Sequence, residues 1–325
     1  MRLVKALSPR ALKWTALCLA VLVCASAAGA WALYRKLDGN IRTDHAGAGA
    51  LARHGAERPR PAPGKAENIL IMGSDYTKEL GSERSDTVMM LHLSGDGRRA
   101  DLVSIPRDLT VHIPACERPE GGHSRDQVAQ FNWAYQFGRS ACTIRTLEAI
   151  THVRIDHHLV VGFPGFKRLI NAVGGIQVTL PHAERDPNVG LDLPAGRHLL
   201  KGDDALAYVR ARQYVGDGSD VNRIGRQQDF LKLVVDKVRS GDVLTNPARL
   251  YPVLDAATSS LTADDGLDSL DELYTLVRRL RGVPPGGITF RIAPHEDDPD
   301  HWYRLLLKQP EADRLFAAVR QDRPL

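Results

Sequence analysis

Apolar residues along this chain occur in three kinds of run, and each predicts a different element. The first is unbroken: no charged side chain falls between Trp14 and Tyr34, a stretch of 21 residues. As a helix it extends about 31 Å, the thickness of a bilayer core. The second kind is short and bounded by polar turns. Asn68 to Gly73, Thr87 to Leu93, Ala100 to Ile105, His157 to Gly162, Ile176 to Leu180 and Gly287 to Ile292 have this character and read as strands. The third has helical spacing. It covers Cys142 to Thr151, Phe166 to Val173, Asn222 to Arg239, Pro247 to Leu261, Leu267 to Leu280 and Pro310 to Arg320. Gly174-Gly175 stops the second of these helices, as glycines do just past a C-terminus. Strands alternating with helices predict an α/β layer structure.

Between the first run and the first strand the chain is rich in Gly, Ala, Pro and Arg, ending in Arg58-Pro59-Arg60-Pro61-Ala62-Pro63-Gly64 without apolar periodicity. It reads as a stem. The expected organisation is therefore a cytoplasmic tail (1–13), a transmembrane helix (14–34), a flexible extracytoplasmic stem (35–67) and one folded domain (68–325). Trp14, Trp31 and Tyr34 are placed as interfacial anchors, and Arg2, Lys5, Arg10 and Lys13 favour a cytoplasmic N-terminus. A cleaved signal peptide is the alternative, because Ala25-Ser26-Ala27 and Ala28-Gly29-Ala30 both fit a small-x-small site. In either case the folded part is exported to a single-pass position at the cell membrane or beyond it.

Composition adds little to this. The chain has 325 residues, 43% hydrophobic and 25% charged, with a net charge of +4. That is enough apolar content for a core and too diffuse a surplus of charge for nucleic acid. Cysteine usage is more informative. Cys18 and Cys24 fall in the long apolar run, leaving Cys116 and Cys142 as a natural disulfide in an exported domain. A metal or nucleophilic role lacks a C-x-x-C pattern. His295 to His301 holds several acids between two histidines, but its irregular spacing fits a solvated loop.

Chemistry concentrates where strands end. Asp75 follows the first strand, Arg84-Ser85-Asp86-Thr87 leads into the second, and Pro106-Arg107-Asp108 leaves the third. If Val209 to Gln213 is extended, Arg210 and Arg212 point to one side. Asp220 stands where a short acid caps a helix, and Arg223, Arg226 and Gln227 share a stripe on that helix. Arginine suits phosphate because its planar fork binds oxygens in pairs and keeps its charge. The rival reading is structural, with Arg107 pairing to Asp108 or Asp86.

Taken in order, these segments resemble the LytR-CpsA-Psr family, the LCP enzymes of bacterial cell-wall assembly. The resemblance is carried by Asn68 to Asp75, Arg84 to Met90, Ser104 to Asp108, Phe131-Asn132-Trp133-Ala134-Tyr135, Phe166 to Gly175, and Ala205 to Arg212 with Asp220, Arg223 and Gln227-Gln228. It implies a mixed central β-sheet flanked by helices and a phosphotransferase that moves a glycopolymer from a polyprenyl pyrophosphate lipid to peptidoglycan. By motif position, Asp75 and Asp86 hold Mg²⁺, while Arg84, Arg107, Arg210, Arg212, Arg223 and Gln227 bind phosphate or position the acids. Asp220 orders the site, and the base is Asp86 or Asp75. Many relatives carry a basic residue where this chain has Gln130, which makes Arg125, Arg139 and Arg145 candidates to compensate. The lipid needs an apolar groove, for which Phe131 to Phe137, Val160 to Phe166 and Leu169 to Val173 are available, though ordinary core is the plainer account of them. Two further readings stay open: the same site with water as acceptor, a phosphatase, and a membrane-bound transcriptional attenuator. Against the attenuator, residues 1–13 are too short to read DNA.

Overall fold

The computed structural model describes residues 9–75, 84–240, 246–284 and 286–325. The first part of the chain forms α1 (Pro9–Asp38), β1 (Arg42–Thr43), α2 (His45–Arg53), β2 (Glu67–Ser74), β3 (Ser85–Leu93), β4 (Ala100–Ile105), β5 (Thr110–Ile113) and β6 (Gln127–Gln130). Next come α3 (Trp133–Thr151), β7 (His157–Gly162), α4 (Phe163–Ala172), β8 (Ile176–Leu180), β9 (Glu184–Asp186), β10 (Leu191–Leu193), β11 (Gly196–Leu200), α5 (Gly202–Arg210) and α6 (Asp220–Ser240). The chain closes with α7 (Pro247–Thr258), β12 (Leu261–Ala263), α8 (Leu270–Gly282), β13 (Ile288–Ile292), β14 (His295–Asp297), β15 (Leu305–Leu307) and α9 (Glu311–Arg320).

A seven-stranded sheet in the order β1-β12-β7-β2-β3-β4-β13 organises the domain. It is mixed: β2 pairs antiparallel to β3 and parallel to β7, and β4 pairs antiparallel to β3 and parallel to β13. Both faces are covered, which is why its strands read as near-continuous apolar runs. On one face Leu70, Met72, Met90 and Val103 pack with Ile144 and Leu147 of α3. On the other, Ile69, Met89, Leu91 and Leu102 pack with Leu276 of α8. A third cluster joins α4, α6 and the antiparallel pair β8 and β11 through Ile170, Val173, Val178 and Phe230.

Three expectations meet a different structure. The stretch read as a stem carries β1, α2 and a 3-10 turn at Gly55–Glu57, and β1 joins the main sheet. No periodicity announces these pieces because each is too short. They are held instead by contacts distant in sequence, such as the buried Leu51 and the Arg58 guanidinium, which donates to Glu148 at 2.7 Å. Second, Val209 is helical: α5 runs to Arg210, its Ala205 and Ala207 buried. Arg210 and Arg212 therefore owe their proximity to a helix end and the loop after it. Third, α3 starts at Trp133 and breaks at Gly138 and Arg139. Its second half is tied to the Cys116–Cys142 disulfide, as expected from the cysteine pattern.

Helix α1 is apolar enough over Lys13–Asp38, 26 residues, to cross a membrane, and Leu17, Leu19, Val21, Leu22, Val23 and Trp31 on it are exposed. Its last turn is joined to the domain: the Lys36 ammonium donates to the Tyr251 hydroxyl at 2.7 Å, and the Leu270 amide donates to Asp38 at 2.9 Å. Met1–Ser8, most of the expected tail, lies outside the described residues.

Candidate active site

The register of the sheet gathers the charged residues at one end. Ser74 of β2 lies opposite Ser85 of β3, and Val88 opposite Ile105 of β4. Asp75 just after β2, Asp86 at the start of β3 and Arg107 just after β4 therefore lie at the same end of the sheet. The Arg107 guanidinium donates to the Asp86 carboxylate, and its Nε lies 3.1 Å from Asp220 and 3.7 Å from Asp108. Burial lowers the affinity of Arg107 for its proton, but Asp86, Asp220 and Asp108 outweigh it and raise the pKa. The Asp86 pairing weighed from the sequence is thus present, within a larger set of charges.

Helix α6 supplies the next layer. Its first residue, Asp220, is 4% exposed and lies 2.5 Å from the Arg223 guanidinium, which also donates to the Asp86 carbonyl at 3.2 Å. Asp220 caps nothing; its carboxylate faces two arginines. Neither Asp220 oxygen has an aligned hydrogen-bond partner, nor do the Nε atoms of Arg107 and Arg223, so charge rather than directed bonding holds the group. Burial lowers the Arg223 pKa, Asp220 opposes that, and Arg107 adds to it. Gln227 is a spacer: it accepts from the Thr87 hydroxyl at 3.3 Å and donates to the Val209 carbonyl at 3.1 Å, holding α6 against β3 and the end of α5. Arg226 is turned away, donating to the Ala211 carbonyl at 2.6 Å with its guanidinium over the Tyr208 ring.

A pocket of about 170 Å³ opens among Asp86, Arg107, Arg210, Arg212 and Arg223. Arg210 lies over the Phe163 ring at 4.5 Å, and Arg212 is 3.5 Å from Asp108. Four of the expected arginines therefore converge. Arg84 is placed beside them rather than among them, its guanidinium over the Trp133 ring and its Nε donating to Gln136 at 3.1 Å. Asp75 accepts the Arg84 amide at 2.6 Å. Burial pushes the Asp75 carboxyl up, the Arg84 amide pulls it down, and repulsion from Asp86 raises it further.

Asp186, the last residue of β9, and Asn188, in the turn from β9 to β10, also line the pocket, and Asp186 accepts the Arg212 amide at 2.8 Å. Sequence reasoning missed both, since an isolated turn has no periodicity to mark it. Asp108, named only as a partner for Arg107, is a hub for Arg107, Arg212 and Gln130; the Gln130 amide donates to it at 3.1 Å. Gln130 thus serves as a neutral donor to an acid whose pKa is raised by burial and by Asp220. Of the residues considered as compensation, Arg145 binds the Ala115 carbonyl and Glu57, and Arg139 lines a separate cavity. Among the apolar candidates for a lipid groove, Phe131, Ala134, Tyr135, Ile170 and Val173 are buried core.

Several known proteins are similar to this chain. The cell wall biosynthesis protein LcpA of Corynebacterium glutamicum is 34% identical over 265 residues, covering 70% of this chain and 50% of LcpA. The probable cell wall biosynthesis protein LcpB of the same organism is 30% identical, covering 78% of this chain and 61% of LcpB. The chain thus spans about half to three fifths of the length of these relatives. TagT of Bacillus subtilis, a polyisoprenyl-teichoic acid–peptidoglycan teichoic acid transferase, is 26% identical, covering 80% of this chain and 78% of TagT. Among solved structures, a LytR-Csp2A-Psr enzyme from Actinomyces oris superposes with a TM-score of 0.63 at 26% identity, covering 81% of this chain and 93% of that one. The LytR_cpsA_psr family model matches residues 40–321, from the segment before β1 to the end of α9, and the chain belongs to that family.

Proposed function

We propose that this protein is a membrane-anchored phosphotransferase that moves a glycopolymer from a polyprenyl pyrophosphate carrier to a hydroxyl of peptidoglycan and releases polyprenyl phosphate. One observation carries the reading: Arg107, Arg210, Arg212 and Arg223 surround a single small pocket beside Asp86. A pyrophosphate presents paired oxygens of fixed negative charge, the group that converging guanidinium forks bind best. The name of TagT, a teichoic acid transferase to peptidoglycan, supports the same chemistry.

In the reaction the acceptor hydroxyl attacks the phosphorus attached to the glycan, and the bond to the lipid phosphate breaks. Charge gathers on the nonbridging and leaving oxygens, and arginines already fixed by Asp86, Asp108 and Asp220 stabilise it without reorganising. Asp75, its carboxyl pushed up by burial, is the acid placed to accept the proton of the acceptor hydroxyl, while Arg107 holds Asp86 in an ion pair. These two acids also fit Mg²⁺. They are hard oxygen donors, one raising the pKa of the other, and Mg²⁺ ordinarily takes one or two carboxylates and completes its shell with water and phosphate. When bound there, the ion neutralises charge on the pyrophosphate. With α1 in the membrane and the basic residues before it in the cytoplasm, the domain faces the wall.

The test is transfer by the full chain in vesicles, with labelled lipid-linked glycan, peptidoglycan and Mg²⁺. Label is expected in the wall polymer. Label released as free glycan phosphate despite the acceptor would make the protein a hydrolase and end the transferase reading.

A further inference from the structure

The charged stretch from His295 to His301 plays no part in the arginine pocket, yet the fold brings it alongside. Strand β13 runs parallel to β4 with Ile292 opposite Ser104, so β14 and β15 follow from the end of the sheet that carries Arg107. The Leu305 amide of β15 donates to the Asp108 carbonyl at 3.1 Å. A second tie runs through β5 and β6, where Thr110 and Gln130 stand opposite each other. Gln130 donates to the Asp108 carboxylate, and the Thr110 hydroxyl donates to Asp298 at 2.9 Å. The loop between β14 and β15 is thus held in register with the acid that faces Arg107 and Arg212.

That loop presents aromatic rings to water. Trp302 is 90% exposed and Tyr303 46%. The Trp302 ring meets Tyr303 edge to face at 5.6 Å, the His301 ring meets it at 6.2 Å, and the Arg304 guanidinium lies over the Tyr303 ring at 5.4 Å. Asp298 supports the group from within: it is buried and accepts from the Asp300 amide at 3.0 Å as well as from Thr110. Backbone bonds close the turn, from the Asp298 amide to the Arg304 carbonyl at 3.0 Å and from the Arg304 amide to the His301 carbonyl at 2.8 Å. One apolar side chain on a surface is ordinary, but stacked rings on a turn fixed by a buried acid form a built surface. Being ordered beforehand, it loses little freedom when a partner packs on it.

Charge and position identify the partner. Glu296 and Asp297 of β14 and Asp300 of the loop are exposed beside the rings. Carboxylates are repelled by an anionic bilayer surface, but they accept hydrogen bonds from hydroxyls. Tyr and Trp rings offer flat apolar faces on which the C–H face of a pyranose packs. Together these are the two chemistries of a sugar chain. In the sheet, β1 next to the anchor and β13 next to this loop are the opposite edges, with β3 and β4 of the arginine pocket between them. We propose that the Trp302–Tyr303 turn is a stacking platform for the sugar rings of the acceptor, the glycan strand of peptidoglycan. The choice of occupant rests on the transfer reading above, in which a lipid-linked donor arrives from the anchor's edge and leaves the β13 edge to the acceptor.

The test sediments the full chain, in detergent micelles and without donor, with peptidoglycan sacculi stripped of attached glycopolymers. The wild type is expected to bind and to be displaced by soluble N-acetylglucosamine oligomers. Trp302→Ala is expected to weaken binding by about tenfold and Trp302→Phe to retain most of it. Trp302 is almost wholly in water, so both variants are expected to melt like the wild type. Absence of wild-type binding, equal binding by wild type and Trp302→Ala, or failure of the oligomers to compete overturns the proposal. So does quenching of Trp302 by brominated phospholipids in vesicles, read as the difference between wild type and Trp302→Phe, which would put the turn in the bilayer. In the transfer assay Trp302→Ala is expected to raise KM for peptidoglycan and leave kcat unchanged; a raised KM for the donor instead overturns the assignment to the acceptor. Sedimentation that depends on Trp302, in a protein that releases its glycan phosphate to water, would uphold the platform and overturn the transferase reading alone.

Discussion

Asp220→Asn separates the electrostatic role of the site from its packing. The change is isosteric, so the helix start keeps its shape, but Arg107 and Arg223 lose the carboxylate that faces both, at 3.1 and 2.5 Å. The Arg223 side chain, like that of Asp220, is 4% exposed, and solvent does little to screen the loss. Removing one partner of a buried pair costs about 3–5 kcal/mol. The lower end applies here, because Arg107 is 17% exposed and keeps Asp86 and Asp108. About 3 kcal/mol in a domain of this size lowers Tm by roughly 6–12 °C. The same logic gives a second number to measure. The variant leaves more unneutralised positive charge around the pocket, so added pyrophosphate is expected to raise its Tm by more than it raises that of the wild type. Thermal melts of both proteins across a pyrophosphate titration supply all the quantities. A variant that melts like the wild type and responds equally to pyrophosphate would refute the view that Asp220 balances these arginines.

Arg107→Lys keeps the charge but loses the fork; transfer is expected to fall by about 10²–10³-fold with folding intact, as read by turnover beside circular dichroism. Cys116→Ser with Cys142→Ser opens a bridge spanning 26 positions, and a loss of about 3 kcal/mol is expected in denaturant unfolding, absent when the wild type is compared after reduction. For Asp75, burial and Asp86 raise the carboxyl above 3.8, so the folded state holds the proton more tightly than the unfolded state. Stability then gains as pH falls through the raised value towards 3.8, and the Mg²⁺ affinity proposed for Asp75 and Asp86 is expected to be lost over the same window, as followed by calorimetric titration; in Asp86→Asn the stability gain is expected to move to lower pH, as followed by thermal melts. A flexible Gly-Ser insertion after Asp38 is expected to slow transfer from a membrane-embedded carrier and to spare a short-chain soluble analogue, measured in parallel assays.

Much of this architecture is legible in the sequence where burial imposes a period. Strands β2, β3 and β4 are buried on both faces, so each shows as an apolar run, and the acids and arginine just beyond them mark the sheet edge. Arg223 and Gln227 can be placed together because helical spacing fixes them once α6 is recognised. What escaped depends on tertiary contact. Val209 to Gln213 reads as extended, yet α5 runs on to Arg210 because Ala205 and Tyr208 pack with Ile170 and Phe230 of neighbouring helices. Asp186 and Asn188 enter the pocket through a hairpin whose position only the fold determines. The segment before β2 failed for a related reason: a two-residue strand is stabilised by its partner, and Arg42 and Thr43 have theirs at Thr262 and Ala263.

That short strand changes how the anchor and the chemistry are related. Pairing sets Arg42 opposite Thr262, Thr262 opposite Val160, Val160 opposite Met72, Met72 opposite Val88 and Val88 opposite Ile105. The row runs from the residue that follows the anchor to the strand that delivers Arg107. The anchor therefore enters the sheet at the end that carries the acids and arginines. A flexible stem would let the domain range away from the bilayer, whereas α1 is fastened by Lys36 to Tyr251 and by Asp38 to the Leu270 amide, and Asn40, just after it, donates to Asp255 at 3.2 Å. A site mounted in this way works at a fixed height set by the end of α1. On the proposed function, with α1 in the bilayer and the pyrophosphate on a membrane lipid, that mount would replace a search through volume with one across a surface, and the arginines would need only to capture what diffusion in the membrane brings to their level.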